Sequence, residues 1–352
     1  MRKLPFIIAI TLLGNIAASG QDIHFSQFYM APLAVNPGLS GAEYDIRALV
    51  NYRTQWKSVG TPYNTMAAAY DMKFVDKKKQ GSDGNWAAGL LFFNDRAGDS
   101  KMRTTQANLS AAYHLVLDKH MTLGLGVQGG FFQRSYSDEA LQWGNQFDGY
   151  QYNTSYASNE NPAQATDNFA KGDLSAGLVW TYKKGDRFMT SNDQINITAG
   201  LALKHINRPK YTYYQAFVDD KLYRRIVGHV HAEIGIQNTK FTLNPAILYM
   251  RQGPNQDIYG GLNVMYKLSQ ESKYTGLKKG SSVALGVFYR NGDAIAITSM
   301  LTYSNYTIGA SYDINISSLK VASNSRGAFE LALRYVFPNP FGGGGSSKAR
   351  FN

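Results

Sequence analysis

Cysteine is absent from all 352 residues, which removes disulfides, thiolate nucleophiles and thiolate metal sites from consideration. Acidic residues are also scarce, with 25 Asp and Glu against 36 Lys and Arg and a formal net charge of +11. A basic excess can serve nucleic acid or an anionic surface, but here it is scattered over short turns such as Asp76 to Lys79 and Lys278 with Lys279. No nucleic-acid partner is expected from that pattern. Beyond the first 20 residues no run is apolar enough for a membrane helix, so any insertion into lipid must use strands. Helical periodicity is nearly missing as well, which argues against an ordinary soluble domain of this size.

What is present begins with a secretory signal over residues 1–20: Arg2 and Lys3, an apolar stretch from Leu4 to Ile16, then the small residues Ala18, Ser19 and Gly20. Cleavage before Gln21 is expected. Removal of Arg2 and Lys3 leaves a mature charge near +9. The chain holds 24 Tyr, 18 Phe and 34 Gly, yet its mean hydropathy is only −0.31. Rich aromatics with modest hydropathy suit a barrel whose outside is apolar and whose inside is wet.

From Tyr44 onward the sequence is a series of alternating segments of about ten residues, about fourteen in all. Ile195, Ile197, Ala199, Leu201 and Leu203 alternate with Asn196, Thr198, Gly200 and Lys204; Tyr306, Ile308, Ala310 and Tyr312 alternate with Thr307, Gly309, Ser311 and Asp313. One face is dressed for lipid and the other for water. Aromatics gather at segment ends, as at Tyr52, Trp56, Trp180, Tyr182, Tyr335 and Phe337, like interfacial girdles. The predicted fold is all-β, a transmembrane antiparallel barrel over residues 44–337 with a flexible tail over 338–352. A soluble sandwich also alternates, but would not need an apolar face on every segment. Pro245 lacks a ladder donor and predicts a bulge or local opening.

Before the first strand, residues 21–43 follow neither period and read as an ordered irregular segment. Large apolar side chains there would otherwise meet water, so the segment is expected to plug the lumen near its inner mouth, using His24, Phe25, Gln27, Phe28, Tyr29, Leu33, Asn36 and Pro37. Arg47 and Arg53 are the expected lumen partners of its backbone.

The run from His24 to Tyr29, Asn36-Pro37, Gly41 before the first strand and the run from Asn51 to Trp56 stand in an order that resembles the PorP/SprF family of the type IX secretion system. Later fragments carry the resemblance on: Asp95-Arg-Ala-Gly98, the run from Ala140 to Gly149, and His205-Ile-Asn-Arg-Pro209. It implies an outer-membrane component of the secretion and gliding machinery, with type IX components and secreted adhesins bearing a C-terminal sorting domain as partners, and the outer membrane as location. On this reading the barrel docks partners at its long outer loops, through Trp143, Phe147, Asp148, Arg208, Pro209 and Tyr211, residue types that include those favoured at hot spots. A periplasmic partner at the inner turns is a further expectation, and the alternative is a porin or small-solute channel.

Chemistry is otherwise thin. His229, His231 and Glu233 share a strand face and could ligate zinc, but a polar lumen row explains them as well. His114 with Ser110 lacks a visible orienting acid. Asp71 with Lys73, and Glu330 with Arg334, read as lumen charges that pair across strands. The run from Gly124 to Gly129 matches a phosphate-loop pattern but lies within a strand, not at a helix start. No enzyme, cofactor or metal is expected.

Overall fold

A computed structural model describes residues 22–74, 84–137, 143–159, 168–185, 192–213, 220–269 and 280–337. The expected signal and the tail at 338–352 lie outside these residues. Fourteen strands follow in chain order: β1 (Ile46–Gln55), β2 (Tyr63–Phe74), β3 (Gly84–Ala97), β4 (Met102–Val116), β5 (Met121–Ser135), β6 (Asn168–Lys184), β7 (Ile195–Lys204), β8 (Arg225–Gly235), β9 (Phe241–Gln252), β10 (Asn255–Ser269), β11 (Ser281–Arg290), β12 (Ala294–Tyr303), β13 (Tyr306–Asn315) and β14 (Arg326–Val336). Each pairs antiparallel with its chain neighbours, and β1 pairs with β14 to close the barrel.

Alternation decides which face each residue takes. Leu201 is 64% exposed and Ile308 49%, whereas Asp313 is 1%. Leu333 also faces outward, and Thr198 and Lys204 face the lumen. A continuous apolar exterior with a polar interior is the pattern of a barrel solvated by lipid outside and water inside. Aromatic pairs mark one rim: Tyr306 and Tyr335 lie 4.5 Å apart, Tyr335 and Phe337 4.5 Å, and Trp86 and Tyr113 5.0 Å. Trp56 against Tyr63, 4.9 Å apart, marks the other.

The longest connections, residues 136–167 and 205–224, both lie at the rim where β1 ends. Since outer loops of such barrels are long and inner turns short, this rim is the outer one. At Pro245 the ladder to β10 is unbroken, with Pro245 opposite Leu262. The ladder to β8 lapses between His231 and Ile234 and resumes in the same register. The missing N–H thus gives a local opening without a bulge.

Candidate functional site

The lumen is occupied by residues 22–43, built from three single turns, Phe28–Met30, Pro32–Val35 and Pro37–Leu39. Pro at the first position of the second and third turns supplies a fixed φ without needing a donor. The Asn36 side chain accepts from Gly38 N at 2.8 Å. The segment does not stay at the inner mouth. Asp22 lies at the outer rim beside the ends of β7 and β9, and Glu43 lies at the inner rim beside Arg47 and His231.

At the outer rim His205 bridges two carboxylates, Asp22 at 2.6 Å through Nε2 and Asp173 of β6 at 2.8 Å through Nδ1. Arg225 adds a contact to Asp22 at 3.3 Å. Burial alone would raise the Asp22 carboxyl, but the charges of His205 and Arg225 outweigh it and hold it well below the usual range. Burial would likewise lower the His205 imidazole; the Asp22 charge and the hydrogen bonds to both carboxylates reverse this and push it up to about 9. His205 keeps a left-handed backbone, φ 55°, a conformation that costs on the order of 1 kcal/mol or more without such bonds. Lys204 donates to the Ala34 carbonyl at 2.9 Å.

Slightly deeper, Ser26 sits at a charged crossing. Its Oγ donates to Asp313 at 2.8 Å and accepts from Arg53 at 2.7 Å and Arg290 at 3.1 Å. The backbone N–H groups of Ser26 and Gln27 donate to the two oxygens of Glu330 at 2.8 and 2.9 Å. Apolar contacts continue this hold. Phe28 and Val35 pack with Val227, Leu248, Tyr259 and Phe288, and Phe25 and Ala31 with Ala67 and Phe93. Each such buried side chain is worth about 1.5–3 kcal/mol, enough to offset the ordering of one or two backbone residues at about 1–2 kcal/mol each.

At mid-depth Asn36 Nδ2 donates to the Leu178 and Leu201 carbonyls at 3.1 and 3.2 Å and lies 3.1 Å from His229 Nε2. Pro37 and Gly38 press against Gly126 and Gly177, where a methyl group would collide with backbone or with Asn36. Toward the inner rim His114 donates to the Ser40 carbonyl at 2.6 Å. Gly41, with φ 64°, donates to Asp71 at 2.9 Å, and a Cβ there would come within 2.7 Å of Ala87. Arg47 bridges Asp71 and Glu43 at 2.9 and 2.8 Å.

Of the chemical candidates, His229 and His231 meet Asn36 and Glu43 and do not converge on a metal-ligating cluster, of which there is none among the described residues. Ser110 accepts from Gln128, at 3.0 Å, while His114 is turned to Ser40. Asp71 and Glu330 pair across strands, with Arg47 and Arg53 as partners in place of Lys73 and Arg334. The eight lumen candidates all lie within the segment; Phe25, Gln27, Phe28, Leu33, Asn36 and Pro37 are buried, and His24 and Tyr29 half-buried. The sequence does not single out Ser26 and Asp173, and the pairing of His205 with Asp22 and Asp173 and of Ser26 with Asp313 cannot be read from it, because these partners are brought together only by the barrel closure.

The outer-loop candidates divide. Residues 143–159 form a braced loop: Phe147 pairs with Tyr152, Asp148 accepts from Tyr150 N and Gln151 N at 2.8 Å each, and Gln146 and Asn145 donate to the Tyr156 and Ser158 carbonyls. Phe147, Tyr150, Tyr152 and Tyr156 stand exposed there, Tyr150 at 97%, with Trp143 half-buried. Arg208 is exposed, but Pro209 is buried, and Tyr211 is packed on Phe132 and under Arg134, 4.4 Å from ring to guanidinium.

No curated protein matches the chain. Among solved structures it is similar to the TodX monoaromatic hydrocarbon channel, deltaS2 mutant (TM-score 0.47, 10% identity, 87% of this chain and 93% of that one). It is also similar to BamA from Haemophilus ducreyi lacking POTRA domains 1-3 (TM-score 0.44, 10% identity, 83% and 70%) and to the toluene transporter TbuX of Ralstonia pickettii (TM-score 0.43, 10% identity, 87% and 93%). The family model for the type IX secretion system membrane protein PorP/SprF matches residues 17–335. With nearly the whole described chain inside that match and a closed barrel of fourteen strands built from it, this outer-membrane protein belongs to the PorP/SprF family.

Proposed function

We propose that the barrel is a non-catalytic docking platform of the type IX secretion and gliding machinery, holding machinery components or adhesins with a C-terminal sorting domain at its outer loops while residues 22–43 plug the lumen. The observation that carries this reading is the braced loop at 143–159, which presents Phe147, Tyr150, Tyr152 and Tyr156 to solvent on a scaffold of hydrogen bonds between side chains and backbone. Exposed aromatics held at little further entropy cost are what a partner-binding surface requires. A folded adhesin is too large for a lumen already filled by its own chain, so cargo is docked and not conducted.

The test is capture of purified sorting domain or machinery component by the barrel carrying Trp143→Ala and Phe147→Ala. Capture should fall at least tenfold, as for loss of a hot-spot pair, while heat-modifiable migration stays that of a folded barrel. Undiminished capture would move the interface elsewhere. The polar lumen wall supports a second reading, a small-solute channel opened when the segment departs. A conductance of the intact chain that is low at rest and rises, on addition of a small solute, to the level given by deletion of residues 22–43 would favour that channel.

A further inference from the structure

Arg96 of β3 and Arg103 of β4 stand directly opposite each other in the ladder, and both are exposed. Like charges in such a pair repel. Neither has an ion pair among the described residues. The two carboxylates nearest in sequence are engaged elsewhere, Asp95 accepting from Thr65 at 2.6 Å and Asp99 from Thr61. Among the described residues the pair therefore lacks a counter-charge.

Its position names the missing partner. Along β3 the alternation puts Arg96 on the same face as Leu90 and Phe92, and along β4 Arg103 shares the face of Leu109, all three apolar residues being exposed to lipid. The neighbouring outward positions are polar: Asn64 opposite Arg96, and Ser135 opposite Arg103. Two residues inward, Asn94 donates to Thr105 at 2.7 Å, next to the exposed Met66. Arg96 lies ten residues beyond Trp86 of the inner aromatic rim, about 33 Å along the strand and, at a tilt of about 40°, about 25 Å along the membrane normal, the height of the apolar band, which carries it to the headgroup layer of the outer leaflet. Two guanidinium forks at that depth match phosphate oxygens in geometry and charge.

We propose that Arg96 and Arg103 form a phosphate-binding pair for a phosphorylated glycolipid of the outer leaflet, clamping it against the β3–β4 wall. The site is independent of the lumen and of the loop at 143–159. It also gives Arg96, which lies in the Asp95 to Gly98 fragment, a role that partner docking does not.

The test uses the full chain in phosphatidylcholine vesicles containing bisphosphorylated lipid A, with dephosphorylated lipid A and inorganic phosphate as separate arms. The wild-type barrel should gain melting temperature only with the bisphosphorylated lipid, and Arg96→Gln or Arg103→Gln should each weaken that lipid's binding by about tenfold, the loss of a charge-assisted contact. In phosphatidylcholine alone either variant should be at least as stable as wild type, because a repulsion has been removed; this also shows that the variants fold. Unchanged lipid A affinity in both variants overturns the proposal. An equal gain from inorganic phosphate or from dephosphorylated lipid A overturns the assignment to lipid phosphate.

Discussion

Arg53 and Glu330 face each other across the seam between the first and last strands, with 3.1 Å between guanidinium nitrogen and carboxylate oxygen. The same carboxylate accepts the backbone N–H groups of Ser26 and Gln27. One side chain thus closes the barrel and holds what lies inside it. Glu330→Ala would leave Arg53 short of a partner and two buried N–H groups unmet, a loss of about 3–5 kcal/mol. The expected outcome is a lower melting temperature and a new ion conductance in planar bilayers. Glu330→Gln, which keeps an acceptor for one N–H, should lose less. A variant as closed and as stable as wild type would show that the carboxylate holds nothing.

Gly126 and Gly129 lie on one strand but face opposite ways. A methyl group at Gly126 would collide with the backbone of Pro37 and Gly38, whereas at Gly129 it would meet Leu174 at an ordinary 3.4 Å. Gly126→Ala should therefore unseat the segment, with a cost of about 1–3 kcal/mol as for an overpacked core, and Gly129→Ala should be near neutral. Protease cleavage within residues 22–43 after reconstitution would read the difference.

The outer clasp has a defined pH dependence. His205 is raised from 6.5 to about 9 in the folded state, so its contribution is fully present below about pH 6.5 and is lost as pH rises through about 9. Asp22 is shifted the other way, so its share is present above 3.8 and lost as pH falls further. The melting temperatures of wild type and His205→Gln should differ most near neutral pH and below, and converge above pH 9. A constant gap across that range would deny His205 its charge.

Spin labels at Leu201, Ile308 and Leu333 should be reached by quenchers dissolved in lipid, and labels at Thr198 and Ser311 should not. The outward and inward burial of these residues sets that expectation. An inverted pattern would turn every strand over.

The barrel was legible because period-two alternation survives in single strands such as β13, where Tyr306, Ile308 and Tyr312 face out and Thr307, Ser311 and Asp313 face in. The lumen contacts were legible only on one side. Phe25, Phe28 and Leu33 announce burial by being apolar, but the polar partners of the segment depend on strand register and closure: Asp22 meets His205 across 183 positions, and Ser26 meets Asp313 across 287. The fragment from His205 to Pro209 was visible as a motif and pointed to a partner surface. Within it, His205 reaches Asp22, and Asn207 bonds the β6 backbone at Gly172 and Leu174. Pro209 and Tyr211 look exposed in a linear reading because a loop's fold back onto Phe132 and Arg134 leaves no periodic trace.

The descent of residues 22–43 from the outer rim to the inner one makes the chain cross the membrane thickness once more than its fourteen strands do. An even number of strands returns β1 and β14 to the same compartment; the additional crossing puts Asp22 in the other. Asp22 thus stands on the side of the cell exterior, and Phe337, bonded to the Ile46 carbonyl, on the side of the periplasm. Reaching that state imposes an order on assembly, since the segment must lie along the open sheet before β1 and β14 zip together, or be threaded through a finished ring against its own buried charges.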